Sequence, residues 1–326
     1  MTALWSNGFP YEWAFPATRE NLVPLSVLRA AAAIKVAVVD TGCDVSQPDL
    51  AAKSPEVYSV AGEPADVRDY DGHGTFVASL AAGSVTNGDG IAGFGGDARL
   101  LCVRVAHDDG SISAEDEAAG IVYAIEHGAR VINLSLAGPT PSKLEAWAIR
   151  HAVQRGALVV AAAGNVHGAG NRAQYPAALL QRVGSRGRGG VGLAVAASTV
   201  RAHRASFSNT GSYVSLAAPG ENVFSALSRY AHWTQASLPG SRAGIYGFAS
   251  GTSFAAAEVS GAAVLVWAAN RALTAAQVAA VLKRTASGHG AWTAELGFGV
   301  IDVAAAVKLA RTMDRPAAQR LLRRFR

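Results

Sequence analysis

Residues 34–40, IKVAVVD, followed by TGCD at 41–44, carry the clearest fold signal in the sequence. The run is largely apolar and β-branched and lacks the polar alternation of a half-exposed strand, so it predicts a strand buried on both faces. Four later runs have the same character: RLLCVRV (99–105), RVINLSL (130–136), ALVVAAA (157–163) and VGLAVAAS (191–198). Helical patterns separate them, most clearly SAEDEAAGIVYAIEHG (113–128), with a cap at Ser113 and a stop at Gly128. This alternation predicts an α/β fold: a three-layer, doubly wound, mostly parallel sheet with helices on both faces.

Composition predicts one main domain with two short extensions. Half of the 326 residues are hydrophobic and only 16% are charged, which suits a large core. We expect an N-terminal arm at 1–30, a main domain at 31–310 and a basic tail at 311–326. The tail holds six Arg and one Asp, which accounts for the net charge of +5, so it is expected to be a solvated end. Because the rest of the chain is neutral, no nucleic-acid partner is expected, and the oligomeric state is left open.

The sequence predicts neither a membrane span nor a disulfide framework. The longest apolar run, 252–269, contains Glu258, Ser260 and Gly261, and is predicted to be a buried helix. The first 20 residues lack the basic and apolar regions of a secretory signal, and two lone cysteines, Cys43 and Cys102, suit a reducing compartment. These features predict a cytoplasmic protein, or a secreted one if the chain is a processed fragment.

Candidate functional residues fall at the carboxyl ends of predicted strands and at one helix start. Asp40 and Asn165 end strands at the edge where doubly wound sheets bind ligands. Ser253 lies in GTSFAAAEVSG, at the start of a hydrophobic helix, where a hydroxyl either caps the helix or acts as a nucleophile near the helix dipole. A nucleophilic serine needs a base and a group that orients the base. Among eight histidines, His73 stands out because glycines flank it in DGHGT.

Two competing interpretations of these motifs receive less support. Asp69, Asp71 and His73 alternate as metal ligands could, but no second ligand cluster accompanies them. The triplet DTG at Asp40 is also typical of aspartic proteases, yet the chain has only one such triplet and a carboxylate dyad needs two.

Six stretches together resemble the subtilases, the subtilisin-like serine proteases, from about residue 30 to 310. They are VAVVDTGCDVSQPDL, DGHGTFVAS, INLSLAGP, VVAAAGN, FSNTGSYVSLAAPGENVFS and GTSFAAAEVSG, in the family's order. With no secretory signal, no inhibitory prodomain and a cysteine in DTGCD, the chain is most similar to the intracellular branch.

The resemblance implies a serine endopeptidase that hydrolyses peptide bonds through an acyl-enzyme. Ser253 would be the nucleophile, His73 the base and Asp40 the group that orients it, while the Asn165 side chain would help to bind the oxyanion. Activity would then rise with pH with a midpoint of about 6 to 7.5, the ordinary histidine range. A peptide ligase or macrocyclase of the same fold and a non-catalytic peptide-binding relative are the alternatives.

The resemblance also implies a polypeptide substrate bound beside two segments. These are Ser135, Leu136, Ala137 and Gly138, and Ala162, Ala163 and Gly164. The chemistry needs no cofactor, but structural calcium is expected to bind at Asp49 and at Asn87 in a glycine-rich loop.

Overall fold

The computed structural model describes residues 11–85, 90–231 and 245–325. Seven strands form one parallel sheet, and two more form an antiparallel pair. The strands are β1 (Lys35–Asp40), β2 (Glu56–Ser59), β3 (Arg99–Arg104), β4 (Val131–Leu134), β5 (Leu158–Ala162), β6 (Gly192–Ser198), β7 (Leu216–Pro219), β8 (Val223–Ala226) and β9 (Tyr246–Ala249). The helices are α1 (Ala14–Thr18), α2 (Leu25–Ala30), α3 (Pro48–Ala51), α4 (His73–Ala82), α5 (Ala114–Glu126), α6 (Lys143–Gln154), α7 (Ala177–Leu180), α8 (Thr252–Ala269), α9 (Ala275–Thr285), α10 (Val303–Thr312) and α11 (Arg315–Arg324).

The sheet has the order β2-β3-β1-β4-β5-β6-β7, and every neighbouring pair is parallel. The predicted fold class is therefore confirmed. The chain first adds strands on one side of β1 and then crosses to the other side with β4, so the order reverses beside β1. Ligand sites in such sheets lie beyond the carboxyl ends of the strands at this reversal. Asp40 ends β1 at this position, and Ser135 directly follows β4.

Two hydrophobic cores cover the two faces of the sheet. On β1, Val36 and Val38 face the core that contains α4, α8, α9 and α10, whereas Ala37 and Val39 face the core under α5 and α6. Because successive side chains of a strand point to opposite faces, both faces need apolar residues, which explains the unbroken apolar runs.

Helix α8 is long and apolar enough to cross a membrane, but 89% of its apolar window is buried inside the protein. In the described residues it is the one helix that passes this test. Its burial against the sheet agrees with the prediction of a core helix.

Both ends of the described chain pack onto the domain. In the N-terminal arm, Phe15, Val27 and Leu28 join the main core, and Arg19 forms an ion pair with Asp302 at 2.8 Å. The expectation of a solvated basic tail is wrong. Its residues form α11, whose amphipathic pattern places arginines outward and buries one face: Ala318, Leu321, Leu322 and the following Phe325.

Candidate active site

Asp40 and His73 form a close pair at the end of β1. Nδ1 of His73 lies 2.7 Å from Oδ1 of Asp40, and that oxygen also accepts the backbone N–H of Thr41 at 2.8 Å. The carboxylate is 1% exposed and the imidazole 22% exposed, so the carboxylate lies behind the ring. A buried carboxylate on Nδ1 fixes the proton there and leaves Nε2 free to accept a proton.

Glycines allow the two loops of this pair to approach each other. A Cβ on Gly74, next to His73, would lie 2.2 Å from the carbonyl oxygen of Gly42. A Cβ on Gly42, where φ is +137°, would lie 2.7 Å from the carbonyl oxygen of Val67. Any side chain at these two positions would push the loops apart, and with them Asp40 and His73.

The electrostatic surroundings raise the pKa of His73. Burial lowers the pKa of this imidazole. The charge and the hydrogen bond of Asp40 raise the pKa by more than burial lowers it, and Asp71 and Asp69 add smaller increases. The resulting pKa is about 9. This value lies above the ordinary histidine range and favours a more alkaline midpoint of activity, which stays a prediction.

Asp69 organises the turn that carries His73, a role that the sequence analysis missed. It is fully buried; its Oδ1 accepts the Thr41 hydroxyl and the Gly72 N–H, both at 2.8 Å. Its Oδ2 accepts the Thr75 N–H at 2.7 Å and the Thr75 hydroxyl at 2.6 Å. Burial raises the pKa of Asp69, and these hydrogen bonds partly offset the rise. Asp69 precedes Gly72 by three residues and Thr75 by six. An Asp just before the start of a helix is typical of a helix cap, and this is the sequence signal that could have predicted the role of Asp69.

The four hydrogen-bond donors around Asp69 also argue against a metal site formed by Asp69, Asp71 and His73. In the described ranges, no three His, Cys, Asp or Glu side chains cluster as a metal site would require. The acidic residues of this turn instead accept hydrogen bonds from the backbone at the start of α4, since Oδ1 of Asp71 accepts the His73 N–H at 3.1 Å.

Ser253 is the second residue of α8 and is 7% exposed. Its hydroxyl donates to the carbonyl oxygen of Ser135 at 2.9 Å rather than to His73. The Ser135 hydroxyl in turn donates to the carbonyl oxygen of Ser253 at 2.7 Å. The ring of Phe254, the next residue, lies 5.8 Å from the imidazole of His73, centre to centre. The fold thus brings the start of α8 to His73, while the serine proton points towards Ser135.

Asn165 is held by the residue before Ser253. Its Oδ1 accepts both the backbone N–H and the hydroxyl of Thr252, each at 2.9 Å. The side chain is exposed, and its Nδ2 has no hydrogen-bond partner among the described residues. A Cβ placed on Gly251 would be 3.6 Å from that Nδ2. The amide therefore presents a free donor at the N-terminus of α8, where the helix dipole also favours negative charge.

The two predicted substrate segments differ in how much backbone they leave free. The backbone N–H and C=O groups of Leu136 and Ala137 have no partner in the part of the chain that the structure describes. Gly138 exchanges two hydrogen bonds with Tyr175, at 2.9 and 2.8 Å, so its backbone is occupied.

The second segment is bonded within the protein. The Ala163 N–H donates to Val195 and its carbonyl accepts the Tyr213 hydroxyl, while the Gly164 N–H donates to the Thr252 hydroxyl. Ala162 lies at the end of β5 and is buried. The backbone groups of Leu136 and Ala137 are therefore available to pair with a substrate strand. Contact of Ala162, Ala163 or Gly164 with substrate stays a prediction.

The predicted calcium position is only partly described. Asp49 is fully buried, and its Oδ2 accepts the Tyr246 hydroxyl at 2.8 Å and the N–H groups of Ile91 and the Gln47 amide at 3.3 Å. These donors already satisfy that oxygen, which does not favour a metal ligand. Asn87 lies outside the described residues, so calcium binding stays a prediction.

Comparison with known proteins places this chain in a family. The chain matches the Subtilase family model, Peptidase_S8, over residues 31–299. It is 37% identical to "Thermitase" of Thermoactinomyces vulgaris over 265 residues, covering 80% of this chain and 85% of that protein. It is 38% identical to the "Major intracellular serine protease" of Bacillus subtilis over 243 residues, covering 72% and 68% of the two chains.

A solved structure agrees. The crystal structure of fervidolysin from Fervidobacterium pennivorans, described as a keratinolytic enzyme related to subtilisin, superimposes with a TM-score of 0.79 at 27% identity. The match covers 94% of this chain and 47% of that one. The matched range, residues 31–299, spans Asp40, His73, Asn165 and Ser253, and the chain belongs to the subtilase family of serine proteases.

Proposed function

We propose that this subtilisin-like serine protease is an endopeptidase whose acyl-enzyme forms on Ser253, with His73 as base and Asp40 as the residue that orients it. The observation that carries the proposal is the 2.7 Å contact between the buried carboxylate of Asp40 and Nδ1 of His73. That contact leaves Nε2 as the proton acceptor and stabilises the imidazolium once the proton has been transferred.

The proposed reaction uses these side chains in two stages. The Ser253 oxygen bonds to the carbonyl carbon of the substrate and its proton passes to Nε2 of His73. The carbon–nitrogen bond then breaks, and the leaving amine takes that proton. Water, deprotonated by the same ring, attacks the ester and restores the serine.

The reaction requires the Ser253 hydroxyl to leave its hydrogen bond to Ser135. Rotation about χ1 moves the oxygen between staggered positions without moving α8. The bond to Ser135 is a neutral hydrogen bond, worth about 1 kcal/mol net, so it does not hold the hydroxyl against a bound substrate.

Two groups are proposed to stabilise the oxyanion. The free Nδ2 of Asn165 and the backbone N–H of Ser253 both lie at the start of α8, where the orientation of Asn165 is fixed by Thr252. A donor that is already oriented needs no reorganisation when charge develops on the substrate oxygen.

A polypeptide substrate fits the free backbone after β4. Leu136 and Ala137 can pair with an extended peptide as an added strand, and Ala137 is exposed. This arrangement supports cleavage within a chain.

Labelling with a fluorophosphonate probe tests the proposal. The probe should modify Ser253, identified by peptide mass analysis, and Ser253→Ala should abolish both labelling and peptide cleavage. Ser260→Ala is the matched control, because Ser260 is a buried serine on the same helix, bonded to Asn133 and Ala256. A wild-type protein that neither reacts nor cleaves would refute the proposal. Joined products formed with an added amine acceptor would instead identify a ligase.

A further inference from the structure

A cavity of about 190 Å³ opens beside the catalytic pair. Its wall includes Thr41, whose N–H donates to Asp40, and Asp71, whose carboxylate accepts the N–H of His73. The cavity therefore shares two residues with the loops that hold the catalytic pair. A substrate side chain in this cavity belongs to a residue close to the bond that is cut.

The wall carries more negative than positive charge. Three carboxylates line the cavity, those of Asp71, Asp108 and Asp109, against one guanidinium, that of Arg104. Asp108 has 84% of its side chain exposed. Hydrogen bonds from the hydroxyl and the N–H of Ser111 hold the pKa of Asp109 below its usual value, so it is ionised at neutral pH.

Arg104 offsets only one of the three carboxylates of the cavity, because it forms its ion pairs with Asp108 and, outside the cavity wall, with Asp66. Its side chain is 3% exposed, is bonded to Asp108, and donates to the carbonyl oxygen of Ala106 at 2.9 Å. It also lies 5.5 Å from the ring centre of Tyr70 and 3.9 Å from a carboxylate oxygen of Asp66. His107, the other basic residue of the wall, is 3.1 Å from Asp116. Neither Asp71 nor Asp109 forms an ion pair among the described residues, although His73 lies near Asp71 and His107 lies near Asp109.

We propose that this cavity, the acidic pocket, binds a lysine or arginine side chain of the substrate near the scissile bond, with Asp108 and Asp109 determining this specificity. The inference rests on the proposed endopeptidase function. Carboxylates on one wall of a partly enclosed cavity bind the cationic end group, and Thr41, Ala106 and Gly110 contact the apolar stem. A neutral or acidic side chain would leave the carboxylates unpaired or repel them.

Competition between matched peptides tests the acidic pocket. Peptides that place Lys, Arg, Gln, Met or Glu at each position around one cleavage site are compared by kcat/KM, with the enzyme concentration set by fluorophosphonate titration. At one position, wild type should cut the Lys and Arg peptides about tenfold or more faster than the Gln peptide, as expected for one charge-assisted contact. About 1 M salt should reduce that ratio.

Two variants assign the effect to the pocket. Asp108→Asn/Asp109→Asn should lower the Lys-to-Gln ratio at that position by about threefold to tenfold and raise the relative rate for the Glu peptide. For the Gln peptide, kcat/KM should change much less than for the Lys peptide. Glu126→Gln, which removes one exposed carboxylate outside the pocket, should leave the ratio unchanged.

Each result identifies which idea fails. A labelled, active enzyme that shows no preference for Lys or Arg at any position overturns the acidic pocket and leaves the protease intact. A preference that survives in the double variant also overturns it, because another part of the protein must then bind the cation. An enzyme that neither labels nor cleaves refutes the proposed function, and the inference falls with it.

Discussion

Ser135 and Ser253 hold each other through two reciprocal hydrogen bonds. The hydroxyl of Ser253 donates to the carbonyl oxygen of Ser135 at 2.9 Å, and the hydroxyl of Ser135 donates to the carbonyl oxygen of Ser253 at 2.7 Å. Asn133 Nδ2 donates to the same Ser135 hydroxyl at 2.9 Å. The residue after β4 is thereby connected to the first turn of α8, which keeps Ser253 beside the carboxyl edge of the sheet.

Ser135→Ala should loosen this connection. The variant keeps the Ser135 carbonyl but loses the hydroxyl that binds the Ser253 carbonyl and accepts from Asn133. We expect the free energy of unfolding to fall by about 1 to 2 kcal/mol and kcat to fall severalfold, with KM little changed. Urea unfolding and steady-state kinetics measure the two effects. Ser260→Ala should lower stability alone, and an equally small effect of both variants on kcat would show that Ser135 is only structural.

The pKa of His73 predicts alkaline activity. Only the neutral ring accepts the serine proton, so kcat/KM should rise with pH up to about 9. This is the pKa that results when burial lowers it and Asp40 raises it.

The same shift in the pKa of His73 affects the stability of the fold. The pKa of His73 in the folded state is raised above the ordinary histidine value of 6.5, so the stabilisation from the charged pair is fully present below pH 6.5 and is lost as pH rises through about 9.

Asp40→Asn is the variant that tests the origin of this shift. It removes the charge that raises the pKa of His73, so the midpoint of the pH profile should move down. The rate should fall about 10⁴-fold, the loss known for this change in serine proteases. A midpoint that stays near 9 in the variant would contradict Asp40 as the cause.

Some of this site could be predicted from the sequence, because local signals determine it. The apolar run of β1 and the carboxylate at its end predicted where Asp40 lies, and Ser113 caps α5 as its spacing to Asp116 indicated. Strand β7 gave no such signal, because its residues LAAP are short and poor in β-branched side chains.

Other features depend on residues that are distant in sequence. The bonds between Ser135 and Ser253 span 118 residues, and Asp69 joins Thr41 to the start of α4. The pKa of His73 depends on burial and on three carboxylates, which only the folded arrangement defines. Composition alone also led to the wrong prediction of a solvated tail, because a count of six arginines does not show that the apolar residues of α11 lie on one face.

Asn165→Ala should test the oxyanion donor. It removes the free Nδ2 and also the acceptor for Thr252, so we expect kcat to fall about 10²- to 10³-fold, the loss known for one such donor in a subtilisin. KM should change little, since the donor acts mainly on the charged intermediate. Asn165→Asp separates the two roles, because it keeps an acceptor for Thr252 but loses the donor, and it should be at least as slow. Wild-type kcat in either variant would exclude Asn165 from the reaction.

Glu258 should destabilise the fold increasingly as pH rises. It is fully buried in α8, and neither carboxyl oxygen has a partner among the described residues. Burial raises its pKa well above 4.5, so above that pH the unfolded state loses a proton that the folded state keeps, and the free energy of unfolding falls. Glu258→Leu should therefore stabilise the protein by about 1 to 3 kcal/mol near neutral pH, with less gain at pH 4. Thermal unfolding at both pH values checks this. Glu126→Leu, at an exposed position, should change stability by less than about 0.5 kcal/mol.

Phe325 anchors the C-terminal segment to the core. It is 6% exposed, its ring lies 5.0 Å from that of Phe298 in an edge-on arrangement, and its carbonyl accepts the Gly189 N–H at 2.7 Å. Phe325→Ala should lower the free energy of unfolding by about 2 to 4 kcal/mol, because it removes a buried ring near the surface where the site can partly collapse. Leu144→Ala, which truncates a side chain that is 47% exposed on α6, should change little. The described contacts of Phe325 do not include the catalytic side chains, so kcat per labelled active site should stay at the wild-type value. Unchanged stability in Phe325→Ala would mean that the segment is solvated, as its arginines alone suggested.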